Sequence, residues 1–485
     1  MAVTPERADP SAQGAPVLVV DLDGTLLASD MLFESFWSAW ARDWRTPLAA
    51  LGGLAGGRAG VKAAVARLAS VDVATLPYDP QVIDYARRWR AEGGRAVLVT
   101  ATDQTLAQQV ADHLDLFDEV RGTADGVNLK GPNKAAWLVG RYGEGGFRYV
   151  GDSPADLPVW ARAAGAVAVN PSDRLSRRIE AVSPGAERLD TGRRAGLSLA
   201  PLRPHQWLKN LLVFVPMLAA HRLDAPTFGQ SLLAFAAFCL VASGVYVLND
   251  LLDLGPDRRH PRKRLRAFAS GAVSLRTGTA LFPVLLLAGL GLAALGGMAL
   301  FGVMLAYLVL TTAYSLWLKR LIVIDICVLA CVYTMRIIAG GAATGIEISV
   351  WLFTFSIFLF LSLAAVKRQA ELVAGVRSGA VKTDGRGYHV DDLAVVATMA
   401  IAAGYVSVLV LSLYLNSTAV VGLYARPEFL WGVVPVLLFW VSRMTMTAHR
   451  GEMHDDPMIF AATDRASQVC VALVAGLALA GALWP

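Results

Sequence analysis

The feature that constrains this chain most is a series of long apolar segments in its C-terminal part. Runs of about 20 apolar residues recur between residues 207 and 485, and a helix of that length spans the hydrocarbon core of a bilayer. Residues 1 to 200 carry an ordinary density of charges instead. Over the whole chain 55% of residues are hydrophobic and only 17% are charged, which excludes a purely soluble protein. The sequence therefore predicts a soluble domain followed by a membrane domain.

Nine apolar segments are predicted to cross the membrane as helices, and the first of them is short. They lie at residues 208–220, 229–248, 279–297, 299–318, 321–343, 348–366, 393–414, 428–446 and 467–484. If the N-terminal domain is cytoplasmic, the loops on its side hold seventeen Lys and Arg residues, whereas the opposite loops hold only Arg222 and Arg426. Basic residues concentrate in cytoplasmic loops. The distribution predicts an integral plasma-membrane protein whose soluble domain and polar loop motifs face the cytoplasm.

Charge and cysteine content exclude several classes of function. The net charge is only +5, and most of the basic surplus lies in short loops between apolar segments, so no nucleic-acid partner is expected. The four cysteines (Cys239, Cys327, Cys331 and Cys470) lie inside apolar segments without metal-ligand spacing, which excludes a disulfide scaffold and a zinc site. Residues 1–15 lack the features of a signal peptide and are expected to be disordered. An oligomer is compatible with the sequence.

Three strand-like segments of the N-terminal part end in acidic or hydroxyl side chains. A valine-rich run from Pro16 to Val20 leads into DLDGT, which contains Asp21 and Asp23; AVLVT ends at Thr100, and RYVGDSPAD contains Asp152 and Asp156. Helical segments separate these runs, which predicts a parallel α/β sheet. Ligands of such sheets bind at the carboxyl ends of the strands.

These residue types suit phosphate chemistry. Asp21 is a candidate nucleophile toward phosphorus, and Asp23 is a candidate acid that protonates the leaving oxygen. Asp21, Asp23 and Asp152 are candidate Mg²⁺ ligands. Thr100 and Lys134 would neutralise the phosphoryl oxygens.

The order of these motifs resembles that of the haloacid dehalogenase (HAD) phosphatase superfamily over residues 16–171. The resemblance implies a Rossmann-like α/β domain, a phosphoaspartyl intermediate on Asp21, an acid–base role for Asp23 and a supporting role for Asp156. Thr102 competes with Thr100, and Lys130 with Lys134, for the two phosphate-neutralising roles.

The resemblance also divides the first 200 residues. Residues 31–79, rich in Trp, Ala and Leu, are expected to form a helical cap inserted after the first motif. Residues 172–200 contain six arginines and are expected to form a basic linker that lies against anionic headgroups.

The second predicted span ends in a group of carboxylates. On a continuing helix Asn249, Asp253 and Asp257 recur every four residues, and Asp250 lies one turn before Asp253. Carboxylates held together at a membrane surface repel one another unless a divalent cation bridges them to a diphosphate. Asp250, Asp253 and Asp257 are therefore candidate Mg²⁺ ligands. The alternative is a solvated cytoplasmic helix end.

Basic and polar residues accompany these aspartates on the predicted cytoplasmic face. They are Lys263, Arg264 and Arg266 in the same loop, Arg203 and Lys209 in RPHQWLKN, Tyr314 and Lys319 in YSLWLKR, and Lys367, Arg368 and Glu371 in KRQAE. Each cluster alone fits a helix-end anchor. Because they converge on one membrane face, we predict a polyanion site to which Asn249 also contributes.

The NDxxDxxxD pattern, a YxxxxKR motif and nine spans resemble the UbiA superfamily of intramembrane prenyltransferases over residues 201–485. RPHQWLKN, NDLLDLGPDRRHPRKRLRA and DPMIFAATD (Asp456 to Asp464) resemble the decaprenyl-phosphate phosphoribosyltransferase branch of that superfamily. Near the end of the sixth span, the typical second aspartate-rich motif is replaced by Lys367, Arg368 and Glu371. Ala267 also departs from that branch, which tends to have proline there.

The second resemblance implies that phosphoribosyl pyrophosphate is the donor and a polyprenyl monophosphate the acceptor, with Mg²⁺ at both sites of the chain. A phosphatase on the same face could then remove the 5-phosphate. The predicted function is thus a bifunctional enzyme that makes polyprenyl-phosphoryl ribose. Two other functions stay open: an aromatic prenyltransferase with an independent phosphatase, and a phosphatase with a membrane anchor.

Overall fold

The computed structural model describes residues 17–483 except 54–59, 61–63, 66, 125–127, 193–197, 380, 382–385 and 454–455. The predicted disorder of residues 1–15 lies outside the described residues. The chain divides into two compact units. The first comprises Met1–Pro201 and Val247–Leu281, and the second comprises Leu202–Tyr246 and Phe282–Pro485.

A parallel sheet forms the centre of the first unit. Its described strands are β1 (Val17–Val20), β2 (Ala96–Asp103), β3 (Glu119–Thr123), β4 (Phe147–Gly151), β5 (Gly165–Val169) and β6 (Glu187–Leu189). They lie in the order β3-β2-β1-β4-β5-β6, and every neighbouring pair is parallel. Leu18 and Val20 face one apolar core, whereas Val19 faces another on the opposite side of the sheet. The predicted α/β domain is confirmed.

Helices cover both faces of this sheet. They are α1 (Met31–Arg42), α2 (Thr46–Gly53), α3 (Pro80–Ala91), α4 (Gln104–Leu114), α5 (Pro132–Tyr142), α6 (Leu157–Trp160) and α7 (Asp173–Val182). Aspartates start three of them: the Asp30 carboxylate accepts the amide of Leu32, Asp79 accepts those of Gln81 and Val82, and Asp103 accepts that of Thr105. Both α1 and α2 lie in the segment predicted to be a helical cap.

The expected basic linker is wrong for the described residues 172–192. This stretch forms α7 and β6, and β6 pairs with β5 at the edge of the sheet. Leu175 and Ile179 are spaced by one helical turn and are buried in the core beneath the sheet. Arg174, Arg177 and Arg178 therefore occupy the outer face of a short amphipathic helix.

The remaining described helices follow in chain order. They are α8 (Val215–Ala219), α9 (Ala225–Leu252), α10 (Leu254–Arg259), α11 (Leu275–Leu295), α12 (Met298–Leu316), α13 (Ile324–Thr344), α14 (Val350–Arg377), α15 (Leu393–Leu415), α16 (Thr418–Leu423), α17 (Val433–His449), α18 (Pro457–Thr463) and α19 (Arg465–Leu483). The end of α9, all of α10 and the start of α11 belong to the first unit.

Eight helical segments in the described part of the chain are long and apolar enough to cross a membrane, which confirms the predicted membrane domain. Nine spans were predicted, and the difference is the short first one. That segment forms a 3₁₀-helix of 11 residues, Pro204–Phe214, which continues into the five residues of α8. A 3₁₀-helix rises about 2.0 Å per residue against about 1.5 Å for an α-helix. The combined segment therefore measures about 30 Å, which matches the thickness of the hydrocarbon core.

Glycines permit close packing in the second unit. A Cβ on Gly340 of α13 would lie 2.0 Å from the carbonyl oxygen of Val213, so the 3₁₀-helix lies directly against α13. A Cβ on Gly404 of α15 would approach Val441 Cγ1 to 2.3 Å. Small residues at helix contacts are typical of membrane domains, because they let the backbones approach.

Candidate functional site

The first candidate site lies at the carboxyl ends of three neighbouring strands. Asp21 follows β1, Asp152 follows β4, and Thr100 lies in β2. Because β1 lies between β2 and β4, the sheet brings these side chains to one edge. We call this group, with Asp23, Thr102, Lys134 and Asp156, the strand-end site.

Lys134 is the lysine that reaches Asp21. Its Nζ lies 2.9 Å from Asp21 Oδ1 and donates to the Tyr149 hydroxyl at 2.8 Å, and its side chain is only 2% exposed. The amide of Leu22 donates to the same Oδ1 at 2.8 Å. Lys130 is exposed, so the geometry favours Lys134 of the two lysines.

Asp23 is held by two hydrogen bonds. The amide of Met31, the first residue of α1, donates to Oδ1 at 2.7 Å, and the Thr102 hydroxyl donates to Oδ2 at 2.8 Å. Thr100 is fully buried, and its hydroxyl accepts the Thr102 amide at 3.1 Å. Burial, and then the nearby Asp30 charge, raise the pKa of Asp23 to about 7. Such a carboxyl group can exchange a proton near neutral pH.

Three carboxylates form the most compact acidic group among the described residues. Asp21, Asp152 and Asp156 each offer an oxygen within 4.8 Å of the others. Burial, followed by the charges of Asp156 and Asp21, raises the pKa of Asp152 to about 8. Burial also raises the pKa of Asp21, although Lys134 opposes the shift. A set of mutually repelling oxygens suits Mg²⁺.

This grouping differs from the predicted ligand set in one member. Asp156, predicted to have a supporting role, takes the place of Asp23. The Tyr149 hydroxyl and the Ser153 amide hold Asp156 at 2.9 and 3.1 Å. Gly24 makes room for Asp152: its φ is +78°, and a Cβ there would lie 2.3 Å from Asp152 Oδ2.

The aspartate loop, defined as Asn249, Asp250, Asp253 and Asp257, is the second candidate site. Asp250 lies near the end of α9, Asp253 precedes α10 and Asp257 lies within it. Arg266 links two of them, since its Nη1 lies 3.2 Å from Asp250 Oδ1 and 2.6 Å from Asp257 Oδ2. Burial raises the pKa of Asp257, although Arg266 lowers it.

Carboxylate oxygens are the donors that Mg²⁺ prefers, and the buried Asn249 Oδ1 has no hydrogen-bond partner among the described residues. Both features fit a bound metal–diphosphate group. The aspartates are nevertheless less tightly grouped than the strand-end carboxylates, because Arg266 lies between two of them. Lys263 and Arg264 are exposed on the following 3₁₀ turn.

A third group lies in the second unit, and we call it the buried basic cluster: Lys209, Tyr333, Arg336, Lys367 and Asp456. Asp456 Oδ2 lies 2.7 Å from Lys209 Nζ and 3.0 Å from Lys367 Nζ. The Tyr333 hydroxyl donates to both Asp456 oxygens, at 3.0 and 2.9 Å. Burial opposes ionisation of Asp456, but Lys367 and Lys209 lower the pKa of its carboxyl below the ordinary value.

Arg336 is the member of this cluster that sequence reasoning missed. It is 2% exposed, its Nε donates to Asn210 Oδ1 at 2.9 Å, and its guanidinium lies 5.5 Å from the centre of the Tyr333 ring. The available signal was a single arginine within an apolar helix, since intramembrane charges usually have functional partners. Lys209 also lies over Tyr333, at 5.6 Å.

Arg368 does not join this cluster, and its predicted phosphate-binding role stays a prediction. It is completely buried, its Nη2 lies 2.7 Å from Asp325 Oδ2, and it also pairs with Glu371. Arg386 lies 3.4 Å from the same Asp325 oxygen and 3.1 Å from Glu371. Two arginines and two carboxylates thus balance one another, and the Tyr314 hydroxyl accepts from Arg386 at 3.1 Å.

The other predicted residues have more local contacts. Asp464 binds Arg443 through both oxygens, at 2.7 and 3.0 Å, and accepts the Ser467 amide at the start of α19. Arg203 lies over the Tyr246 ring at 5.3 Å. Lys319 is half-buried in the 3₁₀ turn Leu318–Arg320, which follows α12.

Known families match both halves of the chain. The model of the UbiA prenyltransferase family matches residues 210–462, and the model of haloacid dehalogenase-like hydrolases matches residues 18–160. These matches confirm the two resemblances drawn from the motifs.

Individual relatives extend the comparison. A protein designated y4nM from Sinorhizobium fredii is 36% identical over 467 residues, which cover 94% of this chain and 89% of that protein. A decaprenyl-phosphate phosphoribosyltransferase from Corynebacterium glutamicum is 39% identical over 184 residues, which cover 37% of this chain and 55% of that enzyme. The solved structure of a UbiA homolog from Archaeoglobus fulgidus bound to GPP and Mg²⁺ covers 57% of this chain and 98% of its own, at 15% identity and a TM-score of 0.45.

Proposed function

Because the chain belongs to the UbiA prenyltransferase family and carries a haloacid dehalogenase-like domain, we propose that it is a bifunctional membrane enzyme. It transfers 5-phosphoribose from phosphoribosyl pyrophosphate to a polyprenyl monophosphate, and then removes the 5-phosphate. The product is polyprenyl-phosphoryl ribose. The observation that carries the proposal is the presence in one chain of a strand-end site and a buried basic cluster, both suited to phosphate groups.

The aspartate loop would bind the donor. Asp250, Asp253 and Asp257 would hold Mg²⁺, which neutralises the diphosphate when bound. Asn249 contributes a buried acceptor that has no partner among the described residues. Lys263 and Arg264 are exposed in the same loop and supply charge toward the incoming polyanion.

The buried basic cluster would bind the phosphate of the lipid acceptor. Lys209, Arg336 and Lys367 carry three positive charges, whereas Asp456 is the carboxylate that contacts the two lysines. An anionic phosphate would balance the remaining charge. In the transfer step a lipid phosphate oxygen attacks the anomeric carbon of ribose, the bond from that carbon to the pyrophosphate oxygen breaks, and pyrophosphate leaves.

The same cluster supports a phosphoribosyl donor over a prenyl diphosphate. A second aspartate-rich motif would bind metal for a prenyl diphosphate, but Lys367 lies at that place and contacts Asp456 at 3.0 Å. The match to a relative named decaprenyl-phosphate phosphoribosyltransferase agrees with this choice.

The strand-end site would perform the second reaction. Asp21 attacks the phosphorus of the 5-phosphate, and because Lys134 and the Leu22 amide both hold Oδ1, Oδ2 is the attacking oxygen. Asp23, whose pKa of about 7 lets it carry a proton, protonates the leaving ribose oxygen. Water then hydrolyses the phosphoaspartyl group, with Asp23 as the base, and releases inorganic phosphate. Asp21, Asp152 and Asp156 would hold Mg²⁺, which neutralises the phosphoryl oxygens.

The proposed location of both reactions is the cytoplasmic face of the plasma membrane. The basis is the excess of Lys and Arg residues in the loops on one side of the predicted spans. Phosphoribosyl pyrophosphate, a charged metabolite, would reach the enzyme from that side.

The test uses the purified full-length protein with phosphoribosyl pyrophosphate, Mg²⁺ and a polyprenyl monophosphate. We expect the Asp250→Ala variant to lose ribosyl transfer but to keep hydrolysis of a small phosphomonoester. A wild-type protein that instead joins a prenyl diphosphate to an aromatic acceptor would contradict the proposal. Full transfer by Asp250→Ala would contradict the role of the aspartate loop.

A further inference from the structure

Helix α1 contacts the segment that carries the aspartate loop through a buried ion pair. Arg258 Nη1 donates to Glu34 Oε2 at 2.9 Å, and Nη2 donates to Oε1 at 2.6 Å. The two side chains are 6% and 3% exposed. A planar guanidinium that binds both oxygens of a carboxylate is fixed in orientation as well as in distance. The pair joins residues that are 224 positions apart in the chain.

Two other contacts support this pair within the same compact unit. Trp37, one helical turn after Glu34, is fully buried, and its indole nitrogen donates to the Thr279 hydroxyl at 2.9 Å. Gly271 lies against Ala28 so closely that an added Cβ would lie 2.6 Å from the alanine Cβ. The contact between residues 28–37 and the segment 254–279 is thus a packed interface.

The ion pair fixes the short helix that carries Asp257. Helix α10 has only six residues, which is too few for stability without tertiary contacts. Arg258 belongs to this helix, and its third guanidinium nitrogen, Nε, donates to the Ala269 carbonyl at 3.0 Å. The neighbouring Asp257 is buried and binds Arg266 at 2.6 Å. The orientation of α10, and therefore the position of Asp257, depends on the contacts of Arg258 with Glu34 and Ala269.

The start of α1 reaches the other candidate site. The amide of Met31 donates to Asp23 Oδ1, and Glu34 lies three residues further along the same helix. One turn of α1 therefore contacts the strand-end site with its backbone and the aspartate-loop segment with a side chain.

We propose that Glu34, a residue of the phosphatase half, is a positioning residue for ribosyl transfer. By holding Arg258 it fixes α10 and places Asp257 for the donor. The inference rests on the proposed function, and it adds that the transfer site depends on a side chain from the other catalytic half.

The first test compares Glu34→Gln with a matched surface variant. Glu144→Gln removes a carboxylate of the same unit that pairs with Arg162 at 3.1 Å, where both side chains are more than half exposed. We expect Glu34→Gln to lower kcat/KM for phosphoribosyl pyrophosphate about ten- to hundredfold, because small displacements of a positioned group have effects of that size. The KM for the lipid and the hydrolysis of p-nitrophenyl phosphate should stay at the wild-type level. Glu144→Gln should change neither activity.

A double variant and a substrate-free measurement complete the test. Glu34→Arg combined with Arg258→Glu should recover part of the transfer lost in each single variant. In hydrogen–deuterium exchange, the amides of α10 should exchange faster in Glu34→Gln than in Glu144→Gln. Equal exchange, unchanged transfer, or a parallel loss of both activities would overturn the proposal. A wild-type protein without ribosyl transfer would refute the proposed function, while the exchange result would still decide whether Glu34 holds α10.

Discussion

Asp456 is expected to be essential for the stability of the buried basic cluster, because its carboxylate contacts the buried ammonium group of Lys209 and the half-buried one of Lys367. Lys209 and Lys367 lie 2.7 and 3.0 Å from one of its oxygens. In Asp456→Asn the amide still accepts a hydrogen bond from Tyr333, but the negative charge is lost. A buried charge that loses its partner typically costs about 3–5 kcal/mol. We expect a destabilisation of that order.

Asp464→Asn is the matched control, since this aspartate ends the same sequence motif. Its ion pair with Arg443 is partly exposed, with 31% of the arginine side chain accessible, so the loss of its charge is expected to cost less than at the buried Asp456. Asn caps a helix about as well as Asp, so the bond from the Ser467 amide is retained. The control should therefore unfold close to the wild-type temperature.

The assay is thermal unfolding of the full-length protein in detergent, followed by tryptophan fluorescence. Asp456→Asn should unfold at a clearly lower temperature than Asp464→Asn. Inorganic phosphate should stabilise Asp456→Asn more than the wild type, because it supplies the missing negative charge. Equal unfolding temperatures of the two variants would refute the dependence of the cluster on Asp456.

Other expected outcomes concern the strand-end site. Mg²⁺ should raise the unfolding temperature more at about pH 9 than at about pH 6, because the pKa of Asp152, about 8, lets protons compete with the metal at the lower pH. Without Mg²⁺, the stability of the protein should fall as pH rises toward 8, because an unfolded carboxyl group has lost its proton above about pH 4, whereas folded Asp152 keeps its proton up to about pH 8. A Mg²⁺ effect on the unfolding temperature that does not depend on pH would contradict this account of Asp152. Lys134→Met should lower phosphatase kcat about a hundredfold or more in steady-state assays and spare ribosyl transfer, because Lys134 lies 2.9 Å from Asp21; wild-type hydrolysis would exclude its role. Gly24→Ala should lower both phosphatase activity and the unfolding temperature, as its Cβ would meet Asp152 at 2.3 Å, whereas Gly185→Ala, also at positive φ but in open space, should keep the activity.

The strand-end site was predictable because residues that follow neighbouring strands of a parallel sheet lie close together, although they are far apart in the sequence. Each motif follows or ends an apolar run, and neighbouring parallel strands end at one edge. Which of two candidates takes part was not predictable, since Lys130 lies just before α5 and Lys134 lies in its first turn. The structure distinguishes the two lysines, because Lys134 Nζ lies 2.9 Å from Asp21 Oδ1.

The membrane site was less predictable, because the partner of a charged residue depends on helix packing. Arg368 and Lys367 are adjacent in sequence, yet Arg368 pairs with Asp325 and Lys367 with Asp456. A helix directs successive side chains about 100° apart, so neighbouring residues face different partners. Arg336 lies inside α13, away from the helix-end motifs that the sequence displays.

Two features of the fold also differ from expectation for physical reasons. The arginines of residues 172–192 suggested a linker, but Leu175 and Ile179, one turn apart, bury one face of α7. The segment before α9 is too short for an α-helical span. Its 3₁₀ conformation makes the segment longer than an α-helix of the same number of residues would be. The spacing of apolar residues in the sequence does not distinguish the two helix types reliably.

Mass spectrometry of the lipid product tests the two-step reaction most directly. The purified wild type and its Asp21→Asn variant are incubated with phosphoribosyl pyrophosphate, Mg²⁺ and a polyprenyl monophosphate. We predict polyprenyl-phosphoryl ribose from the wild type, and from Asp21→Asn the same lipid with one additional phosphate. Identical products from the two proteins, or the absence of any ribosylated lipid, would contradict a chain in which the phosphatase half consumes the product of the transferase half.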